Sequence, residues 1–298
     1  MKKCFLLLGF LLPFSAIIGQ VQHHSLEALK KQIEARLSLV EGEFAVAFID
    51  LKTRESLYIN EKTSFHAAST MKTPVMIEVF RQAKSGKFKL TDSILVKNEF
   101  KSIVDGSLYK MDIADDSADG LYSMIGKKMT IYDLTYLMIT VSSNLATNIL
   151  IDLVDAKKAT ATMRRLGAND IQVLRGVEDN KAYDLGLNNT TTAFDLALIF
   201  EKIARGKPLG KKASKEMLNI LFDQKFNEII PAKLPADAKV AHKTGSITGV
   251  QHDSGIVFLA DGNKYVLVLL SRKLKDPAAG VVALSEVSEM VYDFFRVR

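Results

Sequence analysis

The apolar positions in the first part of the chain predict one helix followed by a pair of strands. Residues 25–40 carry apolar side chains at helical spacing with charged residues between them, which is typical of an amphipathic helix. Residues 44–51 are apolar on both alternating sets, which predicts a strand covered on both faces. Residues 55–59 follow a polar turn and predict a neighbouring strand. From about Thr70 to Arg205, helical periods dominate the pattern.

Strand character returns near the end of the chain. Residues 255–259 and 265–270 are apolar runs separated by Asp261, Gly262 and Asn263, and Asp-Gly between such runs is a good hairpin signal. Residues 280–295 then predict a closing helix. The pattern as a whole predicts an α+β fold, with an antiparallel sheet and flanking helices built from both chain ends and an all-helical domain inserted between them.

The predicted division places residues 20–63 and 205–298 in the sheet domain and residues 64–204 in the helical domain, with a cleft between the two. The chain has 298 residues, of which 48% are hydrophobic and 25% charged. This composition is ordinary for a packed globular protein and excludes extensive disorder as a class.

The first residues have the pattern of a signal peptide. Lys2 and Lys3 precede an almost wholly apolar run, Cys4–Gly19, after which the chain becomes polar at Gln20. The run is short for a membrane span, and Pro13 interrupts it. We therefore expect residues 1–19 to be removed and the mature protein to be periplasmic or secreted, with no stable membrane anchor.

Removal of this segment changes two properties of the chain. The single cysteine lies inside it, so the mature protein is expected to hold no disulfide. The formal charge falls from +6 to +4, because the segment contains Lys2 and Lys3 and no acidic residue. Spread over a domain of this size, that charge does not indicate a nucleic-acid partner.

A first candidate motif is Ser69-Thr70-Met71-Lys72, at the start of a predicted helix that tolerates Pro74 in its first turn. A serine and a lysine three residues apart lie on one helix face. The lysine amine can lower the cost of deprotonating the hydroxyl, while the helix N-terminus offers N–H groups to a developing oxyanion. Alone the motif is weak, since a capping serine followed by a solvated lysine is common.

A second candidate is Ser142-Ser143-Asn144, which directly follows a predicted helix over residues 130–141, capped by Thr130. Another helical pattern begins at once. A short polar link between two buried helices presents its side chains to whatever lies beside it, although Ser and Asn also serve as ordinary helix caps.

A third candidate is Lys243-Thr244-Gly245, at the entry to a stretch with strand character. Lysine places a cation near a substrate carboxylate, threonine offers a hydroxyl, and glycine lets a ligand or another backbone approach closely. Taken by itself this motif also fits a plain strand end.

In their order, spacing and context the three motifs resemble those of the class A β-lactamases and, more broadly, of the penicillin-binding serine hydrolases, whose set is Ser-x-x-Lys, Ser-Asp-Asn and Lys-Thr-Gly. The resemblance runs from about Ser25 to the C-terminus. It departs from the family at Ser143, which stands where the family has an aspartate. That position is mainly structural in the family, so the change bears on stability more than on chemistry.

The resemblance implies a role for each motif residue. Ser69 would be the acylated nucleophile, Lys72 its activating neighbour, and Ser142 the relay that protonates the leaving nitrogen. The substrate would be held by Asn144 at its amide side chain and by Lys243 and Thr244 at its carboxylate. The backbone N–H groups of Ser69 and Ser246 would form the oxyanion hole. Gly245, next to Ser246, would let the backbone approach the substrate closely.

The sequence offers two candidates for the base that resolves the acyl-enzyme. The family pattern is Glu-x-x-Leu-Asn in a loop after an arginine. Glu178 follows Arg175 at about the expected distance, but the Leu-Asn pair is missing after it. Asp184-x-x-Leu-Asn fits the end of the family pattern with aspartate in place of glutamate, but it leaves almost no loop before the next predicted helix. We prefer Glu178 and retain Asp184 as the alternative. Asn189 is expected to replace the usual aspartate and to cap a helix from Thr190.

The interval between Ser69 and Ser142 is longer than the family norm, and the excess falls in residues 98–128, which carry Asp112, Asp115, Asp116 and Asp119. An EF-hand calcium loop is excluded because its twelfth position would be glycine. A solvated acidic loop at the rim of the cleft is the expectation. The five histidines show no paired ligand spacing, so no metal and no cofactor are expected.

The sequence thus predicts a monomeric serine β-lactamase that hydrolyses the β-lactam amide of a small-molecule substrate through an acyl-enzyme on Ser69. Two alternatives share this chemistry in part. One is a penicillin-binding-type hydrolase, either a D-Ala carboxypeptidase or an esterase. The other is a sensor or binding module that is acylated by β-lactams with little turnover.

The export interpretation predicts the N-terminus of the mature protein. Material recovered from the exported fraction should begin near Gln20, because the apolar run ends at Gly19. N-terminal sequencing checks this. A product that starts at Met1 in the cytoplasm would contradict export, and a product retained in the membrane fraction would show that the apolar run is an anchor.

Overall fold

The computed structural model describes residues 25–297. The strands in chain order are β1 (Glu43–Asp50), β2 (Ser56–Ile59), β3 (Phe65–His66), β4 (Ser93–Leu95), β5 (Phe100–Lys101), β6 (Leu108–Tyr109), β7 (Lys128–Thr130), β8 (Thr190–Thr191), β9 (Lys239–Ile247), β10 (Val250–Phe258) and β11 (Lys264–Arg272). The helices are α1 (Leu26–Leu37), α2 (Lys72–Lys84), α3 (Asp119–Tyr122), α4 (Ile131–Thr140), α5 (Asn144–Val154), α6 (Ala156–Arg165), α7 (Asn180–Asp184), α8 (Ala193–Ala204), α9 (Lys211–Phe222) and α10 (Pro277–Arg296).

Five strands from the two chain ends form one sheet, in the order β2-β1-β11-β10-β9, with every neighbouring pair antiparallel. The N-terminal strand β1 lies beside the C-terminal strand β11 over its full length. The predicted α+β architecture, with an antiparallel sheet drawn from both termini and helices around it, is therefore confirmed. The predicted first helix, hairpin and closing helix are also present.

Helices cover both faces of the sheet, which explains why residues 44–49 of β1 are all apolar. Val46 and Phe48 belong to one buried cluster together with α1 and α10. Ala45 and Ala47 point to the opposite face and belong to a second cluster with the helices of the middle segment. Full burial of each large apolar side chain contributes about 1.5–3 kcal/mol, so the sheet is fixed from both sides and provides a rigid support for β9.

The inserted segment is mainly helical, as the sequence predicts, but it is not all-helical. It contains three short two-stranded pairs, β3–β8, β4–β7 and β5–β6. The first pair joins Phe65–His66, near the start of the segment, to Thr190–Thr191, just before α8. The other two lie in or beside the stretch that exceeds the family length, where runs of two or three residues are too short to give a periodic signal.

The division of the chain into a sheet domain and a helical domain stays a prediction. Helix α8 lies within the predicted helical segment, yet it packs against β1, β10 and β11 of the sheet. The predicted signal peptide, residues 1–19, lies outside the described residues. Within residues 25–297 no helix has both the length and the apolar character needed to cross a membrane.

Candidate active site

Ser69 lies on a tight 3₁₀ turn, Ala68–Met71, immediately before α2. Three contacts fix this turn: the Ala67 carbonyl accepts hydrogen bonds from Thr70 N (3.0 Å) and Thr70 Oγ1 (2.6 Å), and His66 Nδ1 accepts one from Ala68 N (3.0 Å). Ala68 has φ 44°, a left-handed conformation that costs a non-glycine residue free energy. The result is a half-exposed serine whose side chain lines a cavity of about 690 Å³.

Lys72 follows one turn later and is fully buried. Its Nζ donates to three oxygen atoms: Ser142 O at 2.6 Å, Ser142 Oγ at 3.1 Å and Asn144 Oδ1 at 2.9 Å. Burial lowers the pKa of Lys72 to about 7, against the opposing effect of the Asp116 and Glu178 carboxylates. An amine with this pKa exchanges protons readily near neutral pH, as a general base must.

Ser142 lies in the link between α4 and α5 with φ 57°. Its Oγ accepts hydrogen bonds from Lys72 Nζ and from Lys243 Nζ, each at 3.1 Å. A hydroxyl has two acceptor positions and one donor hydrogen. Because the two ammonium groups occupy both acceptor positions, the O–H of Ser142 is directed elsewhere, and the residue lines the same cavity as Ser69.

Lys243, Thr244 and Gly245 lie on β9 at the side of the cavity opposite α5. Lys243 is fully buried, and burial followed by repulsion from Lys72 lowers the pKa of its ammonium group. A Cβ at Gly245 would lie 3.0 Å from the backbone nitrogens of both Ser69 and Thr70. The glycine is therefore required by the close approach of β9 to the serine turn, while Ser246 beyond it is exposed at the rim.

Glu178 lies at the opposite wall, where a second cavity of about 400 Å³ is lined by Ser69, Asn144 and Glu178. The backbone at Glu178 is left-handed, with φ 60°. Burial raises the pKa of its carboxyl group, and the nearby Asp115 and Asp116 act in the same direction. Of the two candidate bases, the structure thus brings Glu178 to the cavity.

The alternative base, Asp184, is the last residue of α7 and is exposed. It lines neither of the two cavities that contain Ser69.

Asn144 connects the two walls of the site. Its Oδ1 accepts from Lys72 Nζ (2.9 Å), and its Nδ2 donates to Glu178 Oε1 (3.0 Å) and to the Asp115 carbonyl (3.1 Å). The side-chain amide therefore links the lysine beside the nucleophile to the carboxylate across the cavity.

Residues 28–295 of this chain match the sequence model of the Beta-lactamase enzyme family. The chain belongs to the beta-lactamase enzyme family. One curated relative is Beta-lactamase CARB-3 of Pseudomonas aeruginosa, which is 24% identical over 305 residues covering 96% of this chain and 98% of the relative. The class A resemblance read from the three motifs is thereby confirmed.

Solved β-lactamase-family structures have the same fold. A beta-lactamase from Sphaerobacter thermophilus DSM 20745 superimposes with a TM-score of 0.75 and 26% identity, over 92% of this chain and 97% of that one. A mutant of PBP-A, solved as an acyl-enzyme complex with penicillin G, gives a TM-score of 0.78 and 27% identity over 92% and 98% of the two chains.

The role expected for Asn189 is wrong. Thr190 and Thr191 pair with β3 as strand β8 instead of starting a helix, and α8 is capped by Thr192, whose Oγ1 accepts from Asp195 N at 3.1 Å. Asn189 is buried and holds the base of the Glu178 loop, since its Oδ1 accepts from Leu174 N (2.8 Å) and Arg175 N (3.1 Å).

The acidic segment is only partly the solvated loop that the sequence suggested. Asp112, Asp115 and Asp119 are exposed, but Asp116 is half-buried against the second motif. Sequence reasoning missed this contact because 27 residues separate Asp116 from Ser143. The one available signal was the missing aspartate of the second motif, which left a carboxylate to be supplied from elsewhere.

The described residues, 25–297, contain no group of three or more histidine, cysteine, aspartate or glutamate side chains placed to hold a metal ion. The two histidines nearest the third motif have structural partners. His242 Nδ1 lies 2.9 Å from Asp253 Oδ1, and His252 Nε2 lies 2.9 Å from the His66 carbonyl. Burial lowers the pKa of His252 to about 4, so this ring stays neutral at physiological pH.

The close approach at Gly245 gives a test of the site geometry. Gly245→Ala should displace the Ser69 and Thr70 amides by a few tenths of an ångström, because the added Cβ would contact both at 3.0 Å. We expect covalent labelling of Ser69 to slow by about 10-fold or more, since small misplacements of reacting groups cost up to about 10². The labelling rate with penicillin, measured by intact-protein mass spectrometry, checks this.

Gly120→Ala is the matched control, since a Cβ there meets nothing within 4 Å. Equal labelling rates for the two alanine variants would contradict the assigned geometry.

Proposed function

We propose that this protein hydrolyses the amide bond of β-lactams through an acyl-enzyme on Ser69. The observation that carries the proposal is the position of the Ser69 hydroxyl. On one side of this hydroxyl lies Ser142, whose Oγ is bound by the side-chain nitrogens of Lys72 and Lys243. On the other side lies the half-buried carboxylate of Glu178. A site that only binds a ligand would not need a separate base across the cleft.

Acylation uses the lysine side of the cleft. Ser69 Oγ attacks the lactam carbonyl carbon while its proton passes to the neutral amine of Lys72, and the backbone N–H groups of Ser69 and Ser246 stabilise the oxyanion. When the C–N bond breaks, Ser142 gives its hydroxyl proton to the leaving nitrogen and receives one from Lys72. The two lysines bound to Ser142 Oγ favour this transfer because they stabilise negative charge on that oxygen.

Deacylation uses the opposite side. Glu178 takes a proton from a water molecule whose oxygen attacks the ester carbonyl. The ester bond to Ser69 Oγ then breaks, and this oxygen takes up a proton, which restores the Glu178 carboxylate. The raised pKa of the Glu178 carboxyl group makes its carboxylate a stronger base. Asn144 holds this group by its Nδ2 in the free enzyme and is placed to meet the amide side chain of a substrate.

The cavity of about 690 Å³ also has apolar side chains in its wall. Phe226, Ile229 and Val281 line it together with the motif residues. We propose that Thr244 and Ser246 bind the substrate carboxylate directly. Lys243, whose Nζ bonds Ser142 Oγ and the Thr244 carbonyl, would act on that carboxylate by its charge.

A second candidate function has a specific observation in its favour. The Leu-Asn pair that follows the family glutamate is absent after Glu178, and the chain is 27% identical to PBP-A, a mutant of which is described as an acyl-enzyme complex with penicillin G. A protein that acylates well and deacylates slowly would be a penicillin-binding-type hydrolase or a β-lactam sensor.

We further propose that the protein acts as an exported monomer without a membrane anchor.

The nucleophile is tested by Ser69→Ala. Without the hydroxyl no acyl-enzyme forms, so covalent labelling by penicillin should disappear and turnover should fall by about 10³-fold or more. Intact-protein mass spectrometry and steady-state kinetics measure the two effects, and far-UV circular dichroism verifies that the fold is unchanged. An adduct that persists in the variant, or that maps to Ser142, would show that the nucleophile is misassigned.

The deacylating base is tested by comparing Glu178→Gln with Asp184→Asn. Loss of a positioned general base costs about 10² to 10⁴ in rate, so Glu178→Gln should acylate at a near-normal rate and then accumulate the adduct. Asp184→Asn should turn over like the wild type, because Asp184 is exposed and lines neither cavity. Adduct formation followed over time by mass spectrometry separates the two.

Accumulation in Asp184→Asn alone would reverse the assignment of the base. Accumulation in the unmodified protein would favour the second candidate function.

A further inference from the structure

The carboxylate of Asp116 contacts the second motif of this chain, which has Ser143 where the family has an aspartate. Asp116 Oδ2 accepts hydrogen bonds from Leu145 N at 2.7 Å and from Ser143 Oγ at 3.2 Å. Leu145 N belongs to the first turn of α5, where backbone N–H groups have no partner within the helix and attract negative charge. One carboxylate oxygen thus binds both the motif serine and the helix that follows it.

These bonds fix the conformation of the link that carries Ser142. Ser143 is fully buried, and its Oγ both donates to Asp116 and accepts from Ala146 N at 3.2 Å, so the hydroxyl has no freedom to turn. Ser142, directly before it, holds a left-handed conformation that is unfavourable unless the surroundings impose it. The Asp115 carbonyl holds the other side of the link through Asn144 Nδ2.

Asp116 is itself held in place from its own segment. Its Oδ1 accepts from Ala118 N at 3.1 Å, and its Oδ2 also accepts from the Tyr122 hydroxyl at 3.3 Å. The neighbouring Asp112 and Asp119 are exposed. Asp116 is therefore distinguished from the other acids of this segment by its contacts.

We propose that Asp116 is a positioning residue for acylation, which replaces from a distant segment the aspartate that the second motif lacks and holds the Ser142 link between Lys72 and Lys243. This inference rests on the proposed function for its substrate. Asp116 also acts on Lys72 by its charge, because among the charged neighbours it makes the largest contribution that raises the Lys72 pKa.

The test compares four variants with the wild type: Asp116→Asn, Asp116→Ala, the double variant Asp116→Ala/Ser143→Asp, and the control Asp119→Ala. The rate of Ser69 acylation by penicillin G is measured by quenched-flow mass spectrometry from pH 5 to 9. Each rate is also measured with a fluorophosphonate, which modifies an activated serine and does not depend on lactam recognition.

Loss of position and loss of charge have different signatures. Asp116→Ala should lower the maximal rate by about 10- to 100-fold, the scale of a misplaced catalytic group, whereas Asp116→Asn keeps an acceptor oxygen and should stay within a few-fold of the wild type. Both should move the acidic limb of the profile to lower pH. Removing a negative charge lowers the Lys72 pKa further, so more of the amine is neutral at a given acidic pH.

The other ionisable groups that face Lys72 are Glu178 and Lys243, and Asp115 acts on Glu178. None of these is changed in the variants, so a shift of the limb reports Asp116. The double variant returns a carboxylate to the motif at position 143 and should regain most of the maximal rate. A purely structural loss elsewhere would not be rescued in this way.

The proposal is overturned if Asp116→Ala acylates like Asp119→Ala over the whole pH range, or if the double variant is no faster than Asp116→Ala. Should Asp116→Ala fail to fold, the double variant decides: a folded double variant with a maximal rate within a few-fold of the wild type supports the proposal, and one that does not fold or acylates as slowly as a misplaced group would, about 10-fold or more below the wild type, overturns it. If penicillin does not acylate the wild type but the fluorophosphonate labels Ser69, the proposed function fails, and the fluorophosphonate rates still decide the role of Asp116.

Discussion

Two buried lysine ammonium groups meet at one serine hydroxyl, and the geometry of the cleft follows from this arrangement. Removing an ammonium group from water is costly unless it is hydrogen-bonded and its charge is compensated. Lys72 meets this requirement with three oxygen acceptors from the link between α4 and α5. Lys243 meets it with Ser142 Oγ and a β9 carbonyl. Helix α2, the α4–α5 link and strand β9 must therefore be held within hydrogen-bonding distance of one another.

The rest of the structure supplies that rigidity and tolerates strain at the site. Ala68, Ser142 and Glu178 all have left-handed backbones, and each such residue costs on the order of 1–3 kcal/mol. Two apolar clusters on opposite faces of the sheet hold β9 and α2 in place. Each of these three residues lines one of the two cavities beside Ser69, and strain at such positions is the pattern expected of a preorganised catalytic site.

The sequence predicted what is local and periodic. Helix α4 with its Thr130 cap and the β10–β11 pair followed from spacing and turn residues, and the three motifs named the residues that the structure brings together around Ser69. It could not predict contacts across long intervals. The bond from Asp116 to Ser143 joins residues 27 positions apart, and the pairing of Thr191 with Phe65 prevented Asn189 from capping a helix. Such contacts depend on tertiary packing, which no periodicity in the sequence records.

We propose that Ser69 forms an acyl-enzyme that water then resolves with the help of Glu178. Steady-state turnover of a chromogenic cephalosporin by the purified protein tests this most directly. We expect sustained ring opening at a rate proportional to protein concentration. Each protein molecule should open many substrate molecules, at a turnover rate on the order of 1 s⁻¹ or faster. Ring opening that stops at one equivalent per protein molecule, or that never begins, would contradict it.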